Sequence, residues 1–585
     1  MSKQATKPKP ARTSAHKHAS RFSARQKSIA MITISMAFIM DLLDNTIVNI
    51  AIPSIQKDLG ASYATIQWLI AGYALSFALL LITGGRMGDV FGYKKLFLGG
   101  VTGFTIASLL CGLAWSPEVL VAARLLQGAM AALMVPQVMS TMQIMFTPKE
   151  RGPLMGMFGA MAGIAATLGP VIGGILIHFN IAGLEWRPIF LINIPVGIIA
   201  LIMGIKYLPE GKSPHPLKLD IVGTLLIIVA MGLLVFPLIE GRDLDWPIWT
   251  FVMMACSIPA LALFGWWQVV KERKDKSPLI VPQLFKLRSF VTGLVINISF
   301  EGAMIGFFLP FTLILQVGLG YEVIKAALTG IPTAIGISVV MAVFSQKVIR
   351  RLGRYTVALG CALMASGLGI LYYFIHTHGV DTTPWEFIPG LLLVGAGMAF
   401  IMSPMFSVVL QDVDHKHAGS ASGTLSAIQQ LGGAIGTALI GVVFFGQLTS
   451  AAPASFDAVA PHIRSDLTAA HIPAAAQDQI IRGARICYID RSTQKDSSAT
   501  PDSCKKLKSG SATDTSHMPA AQVAAMKATQ QKVADSLSAN LKQANTDTFV
   551  AAFRAAVYFE LVVLALVFAL SFLLPRHIKM SEGGA

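Results

Sequence analysis

The chain has 585 residues, 54% of them hydrophobic and only 13% charged, with a mean hydropathy of +0.63 and a formal charge of +15. Soluble domains carry about 25% charged residues, so a soluble globular protein is excluded. The positive charge is no sign of nucleic-acid binding, because it is spread over the N-terminal tail and every second loop.

Apolar runs long enough to cross a bilayer recur over most of the length, which implies an all-α polytopic membrane protein. Residues 1–28 hold eight Lys/Arg and no acid, so they read as a disordered cytoplasmic tail before an uncleaved first span. Fourteen spans are predicted, at 30–50, 66–85, 96–114, 119–143, 154–177, 187–208, 220–239, 249–270, 290–315, 324–346, 355–375, 387–410, 423–446 and 549–574. They divide into a six-helix bundle over 29–210, two inserted helices over 219–271, and a second bundle. The second bundle has five helices in 289–447 and its last in 549–575, with an extracytoplasmic segment over 448–548 and a cytoplasmic tail over 576–585.

Lys and Arg recur in the loops at 86–95, 149–151, 206–218, 271–288 and 347–354 and in the tail after 575, whereas the alternate short loops are poor in them. This asymmetry predicts that both termini are cytoplasmic. Trp115, Trp186, Trp246, Trp249 and Trp385 fall near the outer interface, where an aromatic belt is expected.

The first span carries Asp41 and Asp44, three apart and so on one helical face. An ionised carboxylate in mid-membrane costs about 2.5–3.5 kcal/mol. Such a residue is therefore either a helix-end acid reaching the interface or a protonatable group in a transport path. Arg124 in the fourth span stays charged and needs a counter-ion, for which Asp41, Asp44 or a nearby polar group could serve. Further buried ionisable candidates are Glu301 in the ninth span, as a proton or cation site, and Arg554 and Glu560 in the last. The last two are six apart and so have different partners.

An internal repeat relates the halves. Arg124–Pro136 in the fourth span is echoed by Leu392–Pro404 in the twelfth, and Leu168–Gly174 in the fifth by Leu431–Gly436 in the thirteenth. Arg124 matches Leu392 and Asp89 matches Arg350, so ionisable chemistry is concentrated in the first half. Parallel six-span repeats characterise major facilitator transporters.

Five stretches carry the family resemblance. Between spans two and three lies Gly85-Arg-Met-Gly-Asp-Val-Phe-Gly-Tyr-Lys-Lys95, where Gly85 and Gly92 allow a tight turn, Asp89 can latch one conformation, and Lys94 and Lys95 hold the cytoplasmic surface. Span four carries Arg124, Gln127 and Gly128; span five carries Gly169, Pro170, Gly173 and Gly174, a bending and close-packing face. Trp186–Gly197 and Asp44–Pro53 complete the set. With these the chain resembles the major facilitator superfamily, and within it the fourteen-helix drug:proton antiporters of the EmrB/QacA type. The resemblance covers about 30–447 and 549–574. It differs where the family usually has Arg and this chain has Val90 and Tyr93.

The resemblance implies a major facilitator fold of two pseudo-symmetric six-helix bundles plus two inserted helices. It implies a non-enzymatic, proton-coupled exporter of amphipathic or cationic small molecules in a bacterial cytoplasmic membrane, with no cofactor beyond the proton motive force and no metal. Asp44, Asp41, Arg124 and Glu301 are then the coupling candidates. A dedicated exporter of one metabolite or antibiotic is the runner-up, and a membrane enzyme or receptor a third reading. A periplasmic adaptor and an outer-membrane channel are optional partners. The resemblance does not account for the outer segment, where Cys487 and Cys504 are disulfide candidates on an oxidising side. Residues 518–545, rich in Ala, Gln and Lys, could extend the last span outward as a helix.

Overall fold

The computed structural model describes residues 22–213, 217–414, 417–493, 501–509 and 520–576. The regular structure among the described residues is all helix, with no strand. Helices are numbered in chain order: α1 Ala24–Leu59, α2 Tyr63–Phe91, α3 Tyr93–Gly112, α4 Pro117–Met145, α5 Pro148–His178, α6 Asn193–Tyr207, α7 Ile221–Glu240, α8 Ile248–Asp275 and α9 Arg288–Leu313. Then come α10, broken into Val323–Thr329, Ile331–Val339 and Ser345–Leu352, α11 Tyr355–His378, α12 Pro384–Leu410, α13 Ala418–Ala469, α14 Ala474–Thr493, α15 Asp502–Ser509 and α16 Ala520–Ser571.

A helix stands at each of the fourteen predicted spans. Among the described residues, thirteen are long and apolar enough to cross a membrane; α5 occupies the remaining position, with its apolar stretch at Leu168–His178. Helix α1 begins at Ala24, inside the predicted tail, because the Ser23 hydroxyl accepts from the Gln26 N–H at 3.2 Å and caps it. Residues 1–21 lie outside the described residues.

The repeat seen in the sequence is a repeat of packing. In the first half α4 lies on α2, and a Cβ at Gly128 would strike the Tyr73 carbonyl. In the second half α12 lies on α10, and a Cβ at Gly395 would strike the Thr333 carbonyl. Both contacts put backbone against backbone, a close approach that only glycine allows. Gly128→Ala should therefore lose about 1–3 kcal/mol by overpacking, read as a lowered thermal midpoint. Gly99→Ala, where the added methyl meets nothing within 4 Å, should be neutral or better.

One apolar core takes Ile47, Leu69 and Leu120 from the first half and Phe307, Leu315 and Phe444 from the second. Gln316, in a π-helical turn after α9, adds an Nε2 hydrogen bond to the Ile50 carbonyl at 3.0 Å. The inserted pair packs through α7, whose Met231, Val235 and Ile239 meet Leu75 of α2 and Ala438 of α13. Helix α8 leaves Ile248, Ile258 and Trp266 exposed, as a lipid-facing helix does.

In the outer segment α16 begins at Ala520, in line with the helix expected over 518–545, and the described residues add further helices and an apolar core that the sequence reading did not foresee. Helices α13 and α16 each run 52 residues, so they overshoot the predicted spans by roughly 35 and 45 Å at 1.5 Å per residue. Phe456, Val459, Ile463 and Leu467 recur at helical spacing along α13 and meet Ile481, Ala484 and Tyr488 of α14 and Ala544 of α16. Low mean hydropathy hid this stripe, because a water-exposed helix buries only one face. Cys487 of α14 and Cys504 of α15 are joined by a disulfide in the structure.

Candidate functional site

The site is built where α1, α2, α3, α4 and α6 converge. Asp44 is 1% exposed, and Arg124, Gln127 and Ser108 are fully buried. Arg124 Nη1 forms an ion pair with Asp44 Oδ2. The other oxygen, Oδ1, accepts from Gln127 Nε2 at 2.7 Å and from Asn193 Nδ2 at 2.8 Å. Gln127 Nε2 also donates to Ser108 Oγ at 2.9 Å, and its Oε1 accepts from Arg124 Nη1 at 2.7 Å. Arg124 Nε donates to the Leu69 carbonyl at 3.0 Å, and its guanidinium lies 4.4 Å from the centre of the Tyr73 ring.

The geometry decides which acid serves Arg124. One turn back on α1, Asp41 is also buried, but it accepts from the Tyr73 hydroxyl instead. Both acids are thus inside the bundle, and neither is a helix-end acid at the interface. Tyr73, Ser108 and Asn193 escaped sequence reasoning as site residues. Asn193 lay within the quoted Trp186–Gly197 stretch, and its amide was the available signal. Tyr73 and Ser108 carried none, being ordinary polar residues in apolar runs.

The other candidates separate from this centre. Glu301 is buried on α9 with its Cβ packed near Gly432 of α13. Among the described residues no hydrogen bond or ion pair joins it to the Asp44 network. Glu560 is buried on α16. Arg554 is corrected: it is exposed on α16, because the six-residue offset from Glu560 turns it outward.

On α5, a Cβ at Gly169 would strike Thr46 of α1, one at Gly173 would meet Ile47 and Ile50, and one at Gly174 would meet Ala327 of α10. Pro170 is half-buried in the same helix. This face therefore joins α5 to the helix of Asp44 and, through Gly174, to the second half. Thr46 Oγ1 donates to the Ala165 carbonyl at 3.2 Å and ties the same pair of helices.

The predicted loop at 85–95 shrinks to one residue. Gly92, at φ +105°, is the break between α2 and α3, and its N–H donates to the Gly88 carbonyl at 2.9 Å. Gly85 packs near Pro136 of α4. Asp89 accepts from the Tyr93 hydroxyl at 2.9 Å, so a phenol stands here where the family usually has Arg. Lys94 Nζ donates to the Ile205 carbonyl at 2.8 Å, and Lys95 is exposed. The residue missed in this stretch is Arg86. It is buried, and its guanidinium donates to the Ser277 carbonyl at 2.8 Å and to the Pro278 carbonyl, binding α2 to the α8–α9 connection.

Trp186 is removed from the aromatic belt. It is fully buried, with Nε1 donating to Asp58 Oδ2 at 2.9 Å, while Arg187 Nη1 reaches the same oxygen at 2.9 Å. Trp115 and Trp385 remain exposed.

Comparison with known proteins agrees with this architecture. The Major Facilitator Superfamily pattern matches residues 34–437. The probable actinorhodin transporter of Streptomyces coelicolor is 38% identical over 95% of this chain and 93% of its own length. The tetracenomycin C resistance and export protein of Streptomyces glaucescens is 31% identical over 72% of this chain and 77% of its own. The multidrug resistance protein Stp of Mycobacterium tuberculosis is 31% identical over 73% and 77%. Among solved structures, a bacterial homologue of the human lysosomal transporter Spinster, inward-facing and unoccupied, superposes with a TM-score of 0.53 at 13% identity, covering 96% of this chain and all of that one. That likeness speaks to the fold. The chain belongs to the major facilitator superfamily of membrane transporters.

Proposed function

We propose that this protein exports small antibiotic-like molecules from a bacterial cell in exchange for protons, by alternating access across the cytoplasmic membrane. The observation that carries the coupling is the Asp44–Arg124 pair, buried and surrounded by the donors Gln127 and Asn193. As an ion pair it is neutral overall and well satisfied. A proton arriving at Asp44 cancels the attraction and leaves a guanidinium that cannot discharge. Arg124 then leans on Gln127 Oε1 and the Leu69 carbonyl, and Asp41 stands one turn away as an alternative acceptor. Because Asp44 shares α1 with the residues facing the α5 glycines, the loss of its pairing is transmitted to the α5–α10 contact between the halves. Proton occupancy and the packing of the halves are thereby linked through one helix.

A dedicated exporter of one antibiotic is the second reading. It rests on the match to the probable actinorhodin transporter, which extends through nearly the whole chain, while the matches to Stp and to the tetracenomycin C export protein both cover about three quarters of it. The experiment is a substrate-accumulation panel in efflux-deficient cells carrying the protein, with and without a protonophore. Protonophore-sensitive export of actinorhodin or tetracenomycin C supports the proposal. Export that ignores the protonophore removes the coupling, and equal export of unrelated drugs removes the narrow substrate range.

The same proposal places both termini inside and the helices α13 to α16 projecting outside, where in a two-membrane envelope they offer a docking surface for an adaptor. With Cys111, Cys256 and Cys361 replaced, a cysteine at Ala475 should react with an impermeant maleimide in intact cells, and one at Lys274 only after lysis. Labelling in the opposite order overturns this orientation.

A further inference from the structure

The second half holds an acid that the Asp44 network does not use. Glu560 lies in the middle of the membrane-spanning part of α16 and is 1% exposed, and neither of its carboxyl oxygens has a hydrogen-bond partner among the described residues. Its place in the packing is specific. A Cβ added to Gly306 of α9 would lie 3.0 Å from Glu560 Oε1 and 3.5 Å from Ile440 Cβ of α13. The carboxyl therefore occupies a notch between three helices, open because residue 306 has no side chain.

Among the described residues none pairs with this carboxyl. Between Ala418 and Phe456, α13 contains no titratable residue. Helix α9 contributes Glu301, whose Cβ packs near Gly432, and Arg288 at its first residue. Helix α11, which also packs on α16, carries Cys361 as a buried titratable group, with its histidines in the last turn. On α16 itself, Arg554 and Tyr558 are exposed. An ionised carboxylate in this notch would have neither counter-ion nor donor, a state that buried charges do not keep. The neutral acid escapes that penalty. A leucine would fill the space without any polar atom, so packing alone does not account for an acid here.

We propose that Glu560, in the notch at Gly306, is a second proton-binding site, located in the second half and separate from the Asp44–Arg124 network. It holds its proton in the arrangement described here. Its release requires water or a cation to reach the notch. The adjoining α9–α13 crossing is made through Gly302 and Gly436, backbone on backbone, so a slide of α9 along α13 is the movement that would open it. The inference deepens the proton-coupled reading but does not depend on the role of Asp44.

The test is pH-titrated infrared difference spectroscopy of the full-length protein in lipid vesicles, following the C=O stretch of protonated carboxyl groups. Glu560→Gln should remove one titrating carboxyl component, and Asp44→Asn should leave that component in place. Gly306→Ala, which crowds the carboxyl but keeps it, should move the midpoint of the same component. An unchanged set of titrating bands in Glu560→Gln overturns the proposal. If that variant does not fold, an unmoved midpoint in Gly306→Ala overturns it instead. Loss of the Asp44 component with the Glu560 component retained in Asp44→Asn separates failure of one site from failure of the other.

Discussion

Asp44→Asn should insert in the membrane and bind substrate, yet sustain no substrate gradient. The amide keeps the shape of the carboxyl, and its oxygen can still accept one of the bonds now made by Gln127, Asn193 or Arg124. What it cannot do is gain and lose a proton at physiological pH. One proton exchanged for a neutral molecule contributes about 2.3 kcal/mol per 100 mV. At about 1.4 kcal/mol per decade, that sustains a concentration ratio of roughly 50. In vesicles with an imposed potential the variant should bring this ratio down to about 1, while substrate-binding affinity changes far less. A ratio equal to wild type would remove Asp44 from coupling.

The largest stability effect is expected when the acceptor is removed altogether. In Asp44→Leu the guanidinium of Arg124 remains charged and buried without its carboxylate. Breaking a buried pair from one side costs about 3–5 kcal/mol. Arg124→Leu should cost less, because the stranded carboxyl can take up a proton and the stranded guanidinium cannot lose one. The double variant Asp44→Leu/Arg124→Leu should recover most of the loss, since no charge is then buried, although transport stays absent. Thermal midpoints in detergent, measured for the two single variants and the double one, check the order. If Arg124→Leu proves the worse single variant, or if the double loses the sum of the two, the pair is not coupled as the structure shows.

The acids and the arginine of this centre were legible in the sequence, because charge is conspicuous in an apolar run. Their pairing was not. Asp41 and Asp44 share a helical face, and the spacing that puts them there serves both equally. The choice of Asp44 for Arg124 comes from the crossing of α1 with α4, with Tyr73 of α2 occupying Asp41. Asn193 shows the same division. It was quoted in a recognisable stretch, but its contact with Asp44 bridges 149 positions of sequence. Trp186 and Arg554 went the other way. A tryptophan at a span end and an arginine within a span read as belt and buried charge, and burial reversed both.

By itself the sequence determined what is local and periodic. The number of crossings, the alternation of basic loops, the doubled bundle and the places where helices pack through glycine all follow from hydropathy, charge and small-residue spacing, which act over a few turns of helix. The tertiary structure decided what depends on the register between helices: the partner of each buried acid, the capture of Arg86 by the carbonyls at 277 and 278, and the notch at Gly306 that leaves Glu560 without one. It also decided that the outer helices share a core of their own, since the apolar stripes of α13, α14 and α16 bury their area only against one another. A hydrogen bond has a reach of about 3 Å, so a shift of one residue between two helices changes which side chains can meet.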